Sequence, residues 1–273
     1  MVINVKCLIC SKKTDLIICK NCSLDPLKIE DARRVLAQNK DYKKLLSLYN
    51  STFMELSDRN TKLFWDPKLE NISSLKDQDS MTKARIYGVL SLLPQRTQKI
   101  LDIGAGYGFI EEVFHNKKLK FKLFGFDISP QAVKNLNERF QGDFRVGSVY
   151  KIPFNGLKFD AVLALEVFEH IPPSKIFSVI KSIKQNISPN GVLIVSVPVN
   201  ENLDTMGDNP SGHLREYSLD LLKAELEISG LKVDIYKEFS AFKRFYKIKA
   251  LFKRYILRNR WVSNDILVRA VKI

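Results

Sequence analysis

The chain has 273 residues, 45% of them hydrophobic and 27% charged, enough to bury the core of one or two domains and too apolar for wholesale disorder. Lysine and arginine number 44 against 30 aspartate and glutamate, and the net charge of +14 suits an anionic partner or substrate without choosing one. Residues 1–10 lack the apolar run and small-residue cleavage site of a secretory leader, and the longest apolar stretch, residues 192–199, is far below the roughly 20 residues that span a bilayer. The expected location is the cytoplasm, with a membrane surface still within reach as a peripheral partner.

All four cysteines fall within the first 22 residues, as Cys7, Cys10, Cys19 and Cys22. Two Cys-x2-Cys pairs a hairpin apart can direct four thiolates at one tetrahedral ion, so residues 1–24 read as a zinc knuckle rather than two disulfides. Four thiolates leave no open coordination position, which makes the ion structural. So short a segment needs the metal to fold and a larger body to rest on.

Residues 25–95 read as a helical region. Ile29, Val35, Leu36, Leu45, Leu46, Leu48 and Tyr49 recur at helical intervals, Phe64-Trp65-Asp66-Pro67 breaks the period, residues 71–80 look like a polar loop, and a second helix runs over 81–93 to Pro94. Residues 99–103 are then an apolar strand feeding directly into Gly104-Ala105-Gly106-Tyr107-Gly108, with an amphipathic helix over 109–115. Strand, glycine turn and helix N-terminus together let the backbone approach a nucleoside-bearing cofactor. A second strand, 122–126, ends in Asp127, where an acid can accept from both hydroxyls of a ribose. The turn is G-x-G-x-G, not the G-x-G-x-x-G of nicotinamide and flavin sites, because Phe109 stands where the last glycine belongs.

These residues resemble the first motif of class I S-adenosylmethionine-dependent methyltransferases, and the resemblance continues in order. Gly125-Phe126-Asp127-Ile128-Ser129 is similar to the second motif, and Gly147-Ser148-Val149-Tyr150-Lys151-Ile152-Pro153-Phe154 to the adenine-side segment. Phe159-Asp160-Ala161-Val162 through Glu166-Val167-Phe168-Glu169-His170 resembles the fourth-strand motif, and Pro189-Asn190-Gly191 the turn into strand five. The resemblance implies an α/β fold for residues 96–273, a Rossmann-like doubly wound sheet of seven strands with the last one antiparallel. It implies S-adenosyl-L-methionine as cofactor. Gly104, Ala105, Gly106 and Gly108 would line its methionine part, Asp102 would organise the turn and the amino group, Asp127 would hold the ribose and Ile128 would pack on adenine. Ser148 and Val149 would border the adenine edge, with Ser148 standing where the family usually has Asp, and Glu166 would face the reacting centre.

Among the three histidines, His115 reads as a surface residue, while His170 and His213 are candidates for the base that deprotonates an acceptor. His213 sits in His213-Leu214-Arg215-Glu216-Tyr217-Ser218, which resembles a segment of a subgroup acting mostly on small-molecule and glycan acceptors. Strands are expected at 233–237 and 266–272, the first parallel to its neighbours. Between them, residues 242–260 carry eight basic and no acidic residues, interleaved with Phe245, Ile248, Phe252 and Tyr255 at helical spacing. A basic amphipathic helix there would overhang the acceptor and suit an anionic membrane surface, a phosphate-bearing carrier or RNA.

The favoured reading is a methyltransferase for a hydroxylated small-molecule, sugar or lipid-linked acceptor, with an anionic one expected from the charge. The alternative is an RNA methyltransferase that grips its substrate with knuckle and basic helix, and a non-catalytic cofactor-binding scaffold is the third possibility. Replacing Cys7 and Cys10 with serine is expected to release about one zinc ion per chain, checked by metal analysis against the wild type; metal-free wild-type protein with reduced thiols would overturn the knuckle.

Overall fold

The structure is a computed structural model that describes residues 60–172, 175–201, 211–214, 216–242, 248–249, 251 and 263–273, together with the backbone of 5–6 and 13–14. The four cysteines lie outside the described residues, as does the 242–260 window apart from 242, 248, 249 and 251. Near the start of the chain, Val5–Lys6 pairs antiparallel with Lys13–Thr14. No helix among the described residues is long and apolar enough to cross a membrane.

Seven strands form one sheet: Lys99–Ile103 (β1), Lys122–Asp127 (β2), Asp143–Val146 (β3), Phe159–Leu165 (β4), Ile187–Pro198 (β5), Leu231–Phe239 (β6) and Asp265–Lys272 (β7). Their order across the sheet is β3-β2-β1-β4-β5-β7-β6, with β1 to β5 parallel and β7 antiparallel to both of its neighbours. This is the Rossmann-like sheet expected from the sequence. The expectation that the sixth strand is parallel to its neighbours needs correcting. β6 points the same way as β1 to β5, but the one strand it hydrogen-bonds is β7, and that pairing is antiparallel.

Among the described residues there are six α-helices: Lys62–Leu69 (α1), Ser80–Leu90 (α2), Phe109–Asn116 (α3), Pro130–Arg139 (α4), Ile176–Asn186 (α5) and Leu219–Ile228 (α6). β4 and β5 are covered on both faces, which is why Ala161 to Ala164 and Val192 to Val195 are unbroken apolar runs without alternation. Leu101, Val162, Leu193 and Val195 face the side covered by α5 and α6, whereas Ile100, Leu163 and Ile194 pack toward α2 and α3. Three helices start on side-chain caps: Asp79 accepts from Met81 N at 2.7 Å, Ser129 from Ala132 N and Ser218 from Leu221 N.

Two local expectations change. Phe64 to Pro67 does not break a helix but lies inside α1, with Pro67 in its interior. The contacts outweigh the missing N–H: Trp65 stands edge-on to Phe64 at 5.1 Å and to His170 at 5.0 Å. The 81–93 helix ends at Leu90, and the chain turns there so that Leu92 enters the core.

Gly108 caps α3 from the left-handed region at φ +73°, and a Cβ there would meet Leu136 Cδ2 and Phe140 Cε2 at 2.7 Å each. Both neighbours are buried where α4 packs, so neither can give way cheaply. Gly108→Ala is therefore expected to lower stability by about 1–3 kcal/mol, measured by chemical denaturation.

Candidate functional site

β1 lies between β2 and β4, and their connections leave on opposite faces of the sheet, opening a crevice at the strands' carboxyl ends. The glycine turn falls there. Gly104 N and Ala105 N both donate to Phe126 O, which ties the turn to the end of β2. Gly104 and Gly106 have φ of +68° and +51°, and a Cβ on Gly104 would meet Val167 Cγ2 at 2.9 Å. Asp127 Oδ2 accepts from Gly106 N at 2.9 Å and Oδ1 from Ser129 N at 2.9 Å. Burial pushes the Asp127 carboxyl up, and those amide bonds pull it back toward the ionised form.

A cavity of about 450 Å³ opens over this turn. Of the residues singled out in the sequence, Asp102, Gly104, Ala105, Gly106, Asp127, Ile128, Ser148, Val149, Glu166, His170 and His213 all line it. Gly108 does not, because its role is in the packing of α3 on α4. The donor set fits a nucleoside carrying an amino acid: an acid at the end of β2, a turn that only glycine permits, and a buried Asp102 whose Oδ1 has no hydrogen-bond partner among the described residues.

The other half of the cavity is built from distant segments. Arg85 on α2 reaches Glu166 Oε2 at 2.6 Å and Asp265 Oδ2 at 2.5 Å, while Ser196 Oγ donates to Glu166 Oε1 at 2.8 Å. The two carboxylates hold the Arg85 guanidinium protonated against its burial. Glu166 adopts φ +57°, a left-handed conformation unusual for a side-chain-bearing residue, which turns the chain sharply after β4.

The two histidines come together, with ring centroids 4.8 Å apart. His213 Nδ1 lies 2.7 Å from Glu201 Oε2. His170 Nδ1 faces Gly212 O at 3.2 Å, and Asn60 Nδ2 donates to both His170 O and Gly212 O, lacing the two segments together. Burial, helped by His213, lowers the His170 pKa to about 3, so this ring stays neutral near neutral pH and is a poor proton acceptor. Glu169 beside it is fully buried, with neither carboxylate oxygen hydrogen-bonded among the described residues, and burial raises its pKa well above the ordinary value. One ligand atom from each of Glu169, His170 and His213 lies within 4.8 Å of the others, a donor set that suits a metal ion.

Sequence reading missed Arg85, Asp265, Glu201, Trp65 and Glu111. Four of these carry no local motif and reach the site only through tertiary contacts. Glu111, in the first turn of α3, reads from sequence as an ordinary helix-dipole partner.

A family model described as a methyltransferase domain matches residues 51–234. The ubiquinone biosynthesis O-methyltransferase of Azorhizobium caulinodans is 30% identical over 146 residues, 49% of this chain and 56% of that protein. The erythromycin 3''-O-methyltransferase of Saccharopolyspora erythraea is 24% identical over 139 residues, 48% of this chain and 43% of that one. The chain thus spans about half the length of these curated relatives. Among solved structures, the N-methyltransferase NodS of Bradyrhizobium japonicum with S-adenosyl-L-homocysteine superposes with a TM-score of 0.59 at 14% identity, over 78% of this chain and 98% of that chain. This likeness is one of fold.

Removing the guanidinium would leave two carboxylates without their counter-ion, one of them wholly buried. Arg85→Met is expected to cost about 3–5 kcal/mol in chemical denaturation, and adding Asp265→Leu to recover part of that loss.

Proposed function

We infer that this chain, which belongs to the methyltransferase-domain family, transfers a methyl group from S-adenosylmethionine to a hydroxyl of a small-molecule, sugar or lipid-linked acceptor. The observation that carries the hydroxyl assignment is the His213–Glu201 pair, 2.7 Å apart in the cavity that the glycine turn also lines. The curated relatives bear the names of O-methyltransferases, which agrees with an oxygen acceptor.

When bound, the cofactor supplies a methyl group on a sulfonium sulfur. In this reading Asp127 accepts from the ribose hydroxyls, Ile128 and Val149 pack on the base, and Ser148 accepts at its edge. Gly104 and Gly106 let the backbone come close, and Asp102 takes the amino group. The protein's remaining task is to place the acceptor oxygen in line and remove its proton. Glu201 fixes the proton of His213 on Nδ1, leaving Nε2 as the basic nitrogen, and stabilises the imidazolium formed when that nitrogen takes the acceptor's proton. His170, held neutral, packs between Trp65 and His213 and keeps the base in place.

Two further elements belong to this proposal. Cys7, Cys10, Cys19 and Cys22 hold a structural zinc ion, and the basic 242–260 segment serves phosphate-bearing carriers or an anionic membrane surface. An anionic part of the acceptor would pair with that basic segment and not with the cavity's acceptor end, which carries Glu166 and has Glu169 and Glu201 close by. A cytoplasmic location completes the picture.

Labelled methyl transferred into a host extract is expected in the lipid or small-molecule fraction; label in RNA would overturn the acceptor class. His213→Asn and Glu201→Gln are expected to lower kcat by about 10²–10⁴-fold and by a smaller factor, respectively, with cofactor affinity unchanged. Activity is expected to survive EDTA. A loss reversed by divalent ions would replace the base with a metal on Glu169, His170 and His213.

A further inference from the structure

The strand ends opposite the cavity form a basic face. Arg96 stands in the loop entering β1, Lys99 opens β1, Lys117, Lys118 and Lys120 lie between α3 and β2, and Lys122 opens β2. All six are exposed, and none forms an ion pair among the described residues. Residues 80–101 and 113–126 contain no acid. Asp160, in the neighbouring strand β4, uses Oδ2 to accept from the backbone N–H groups of Gln98 and Lys99 at 2.9 Å each. Leu119, set among the lysines, is 39% exposed, and Tyr87 is 50% exposed with Lys117 Nζ 5.7 Å from its ring centroid.

At two points local preference argues against these cations. Lys118 takes the left-handed conformation, φ +55°, that closes α3 through bonds from Lys118 N to His115 O and from Leu119 N to Phe114 O. Glycine is the usual residue there, because a Cβ is strained in that conformation. Lys99 and Lys122 are register partners in neighbouring parallel strands, so two ammonium groups leave one side of the sheet from roots about 5 Å apart. An acid at either position would replace repulsion with attraction. Local rules broken in this way are expected where the charge serves something outside the fold.

We propose that this face docks on an anionic lipid surface. Five of its six cations are lysines, compact charges that attract a negative headgroup layer without the planar fork by which arginine grips single phosphates. Leu119 offers the acyl layer an aliphatic group that neither phosphates nor bases can use. Tyr87 has the ring and hydroxyl found at headgroup level. Docking requires none of the cavity residues. The cavity opens at the other end of β1, about 13 Å along the strand from Lys99, so the docked protein turns it toward water. The acceptor then arrives from the aqueous side, and the 242–260 segment, which follows β6 from that same end, is left for phosphate-bearing carriers.

The test is sedimentation of the full chain with phosphatidylcholine vesicles, with and without phosphatidylglycerol. Binding is expected on the anionic vesicles alone and should weaken as salt rises. Lys117→Glu, Lys118→Glu and Lys120→Glu together should weaken it at least about a hundredfold, at about fivefold per lysine. Lys122→Glu places an acid across from Lys99, so it should keep the fold intact while weakening binding by about fivefold or more. Leu119→Ser should weaken vesicle binding and leave capture of a single-stranded RNA oligonucleotide unchanged. Cofactor affinity of all these variants should match the wild type, which separates lost docking from damage to the cavity. No binding to anionic vesicles, equal binding to neutral ones, or binding that survives both the triple variant and Lys122→Glu overturns the proposal. Loss of RNA capture in the charge variants, together with vesicle binding that Leu119→Ser leaves untouched, overturns it in favour of a nucleic acid.

Discussion

One guanidinium, Arg85, meets carboxylates from two other parts of the chain: Glu166, just past β4, and Asp265, at the head of β7. Burying charge is costly, and the attraction between Arg85 and its two carboxyl partners offsets that only if the geometry is tight and the remaining oxygens find donors. Ser196 supplies one such donor to Glu166. The result pins α2, the sharp turn after β4 and the start of β7 to one point. That point forms the wall of the cavity opposite the glycine turn. Without it the strand ends would still be adjacent, but the walls that receive an acceptor would have no fixed spacing.

The cavity therefore has two halves built by different means. The cofactor half is local: a strand, a turn and a helix in sequence, closed by backbone bonds from Gly104 and Ala105 to Phe126 and by Asp127 capping Gly106. The acceptor half is non-local, drawing on Asn60, Trp65, Arg85, residues 166–170, Glu201, residues 211–213 and Asp265. His170 and His213, 43 positions apart in the chain, meet because Leu214 N bonds Glu169 O and Asn60 bridges the two backbones. The two rings then divide the work by environment. His170, deeply buried, stays neutral. His213 has a carboxylate partner.

The buried acids follow the same division. Near the glycine turn, Asp102 Oδ1 and Glu111 Oε2 are buried with no hydrogen-bond partner among the described residues. Near the histidines, Glu169 has no hydrogen-bonded carboxylate oxygen among the described residues. Proteins rarely bury such groups without a use, and in both places the unmet acceptors lie at the margins of the cavity that the methyltransferase-domain family would fill.

How far the sequence went depends on how local each feature is. A strand running into Gly104-Ala105-Gly106-Tyr107-Gly108, and an acid closing the next strand, encode their geometry within a few residues, because left-handed backbone and close approach demand glycine at fixed spacing. So the cofactor turn, the apolar central strands and the antiparallel last strand were all legible. The role of Gly108 was not, since glycine meets two needs and only the packing of Leu136 and Phe140 tells them apart. Pro67 misled because a contact between Trp65 and His170 outweighs a local helix-breaking preference. Arg85, Glu201 and Asp265 sit in stretches with no motif, and a charge acquires a function only once the fold decides which opposite charge it meets and how little water remains between them. The sequence alone determined the sheet, its glycine turn and the family of chemistry. The tertiary structure decided which acids lose their solvent and which histidine is buried neutral, because desolvation and pairing are properties of a site and not of a residue.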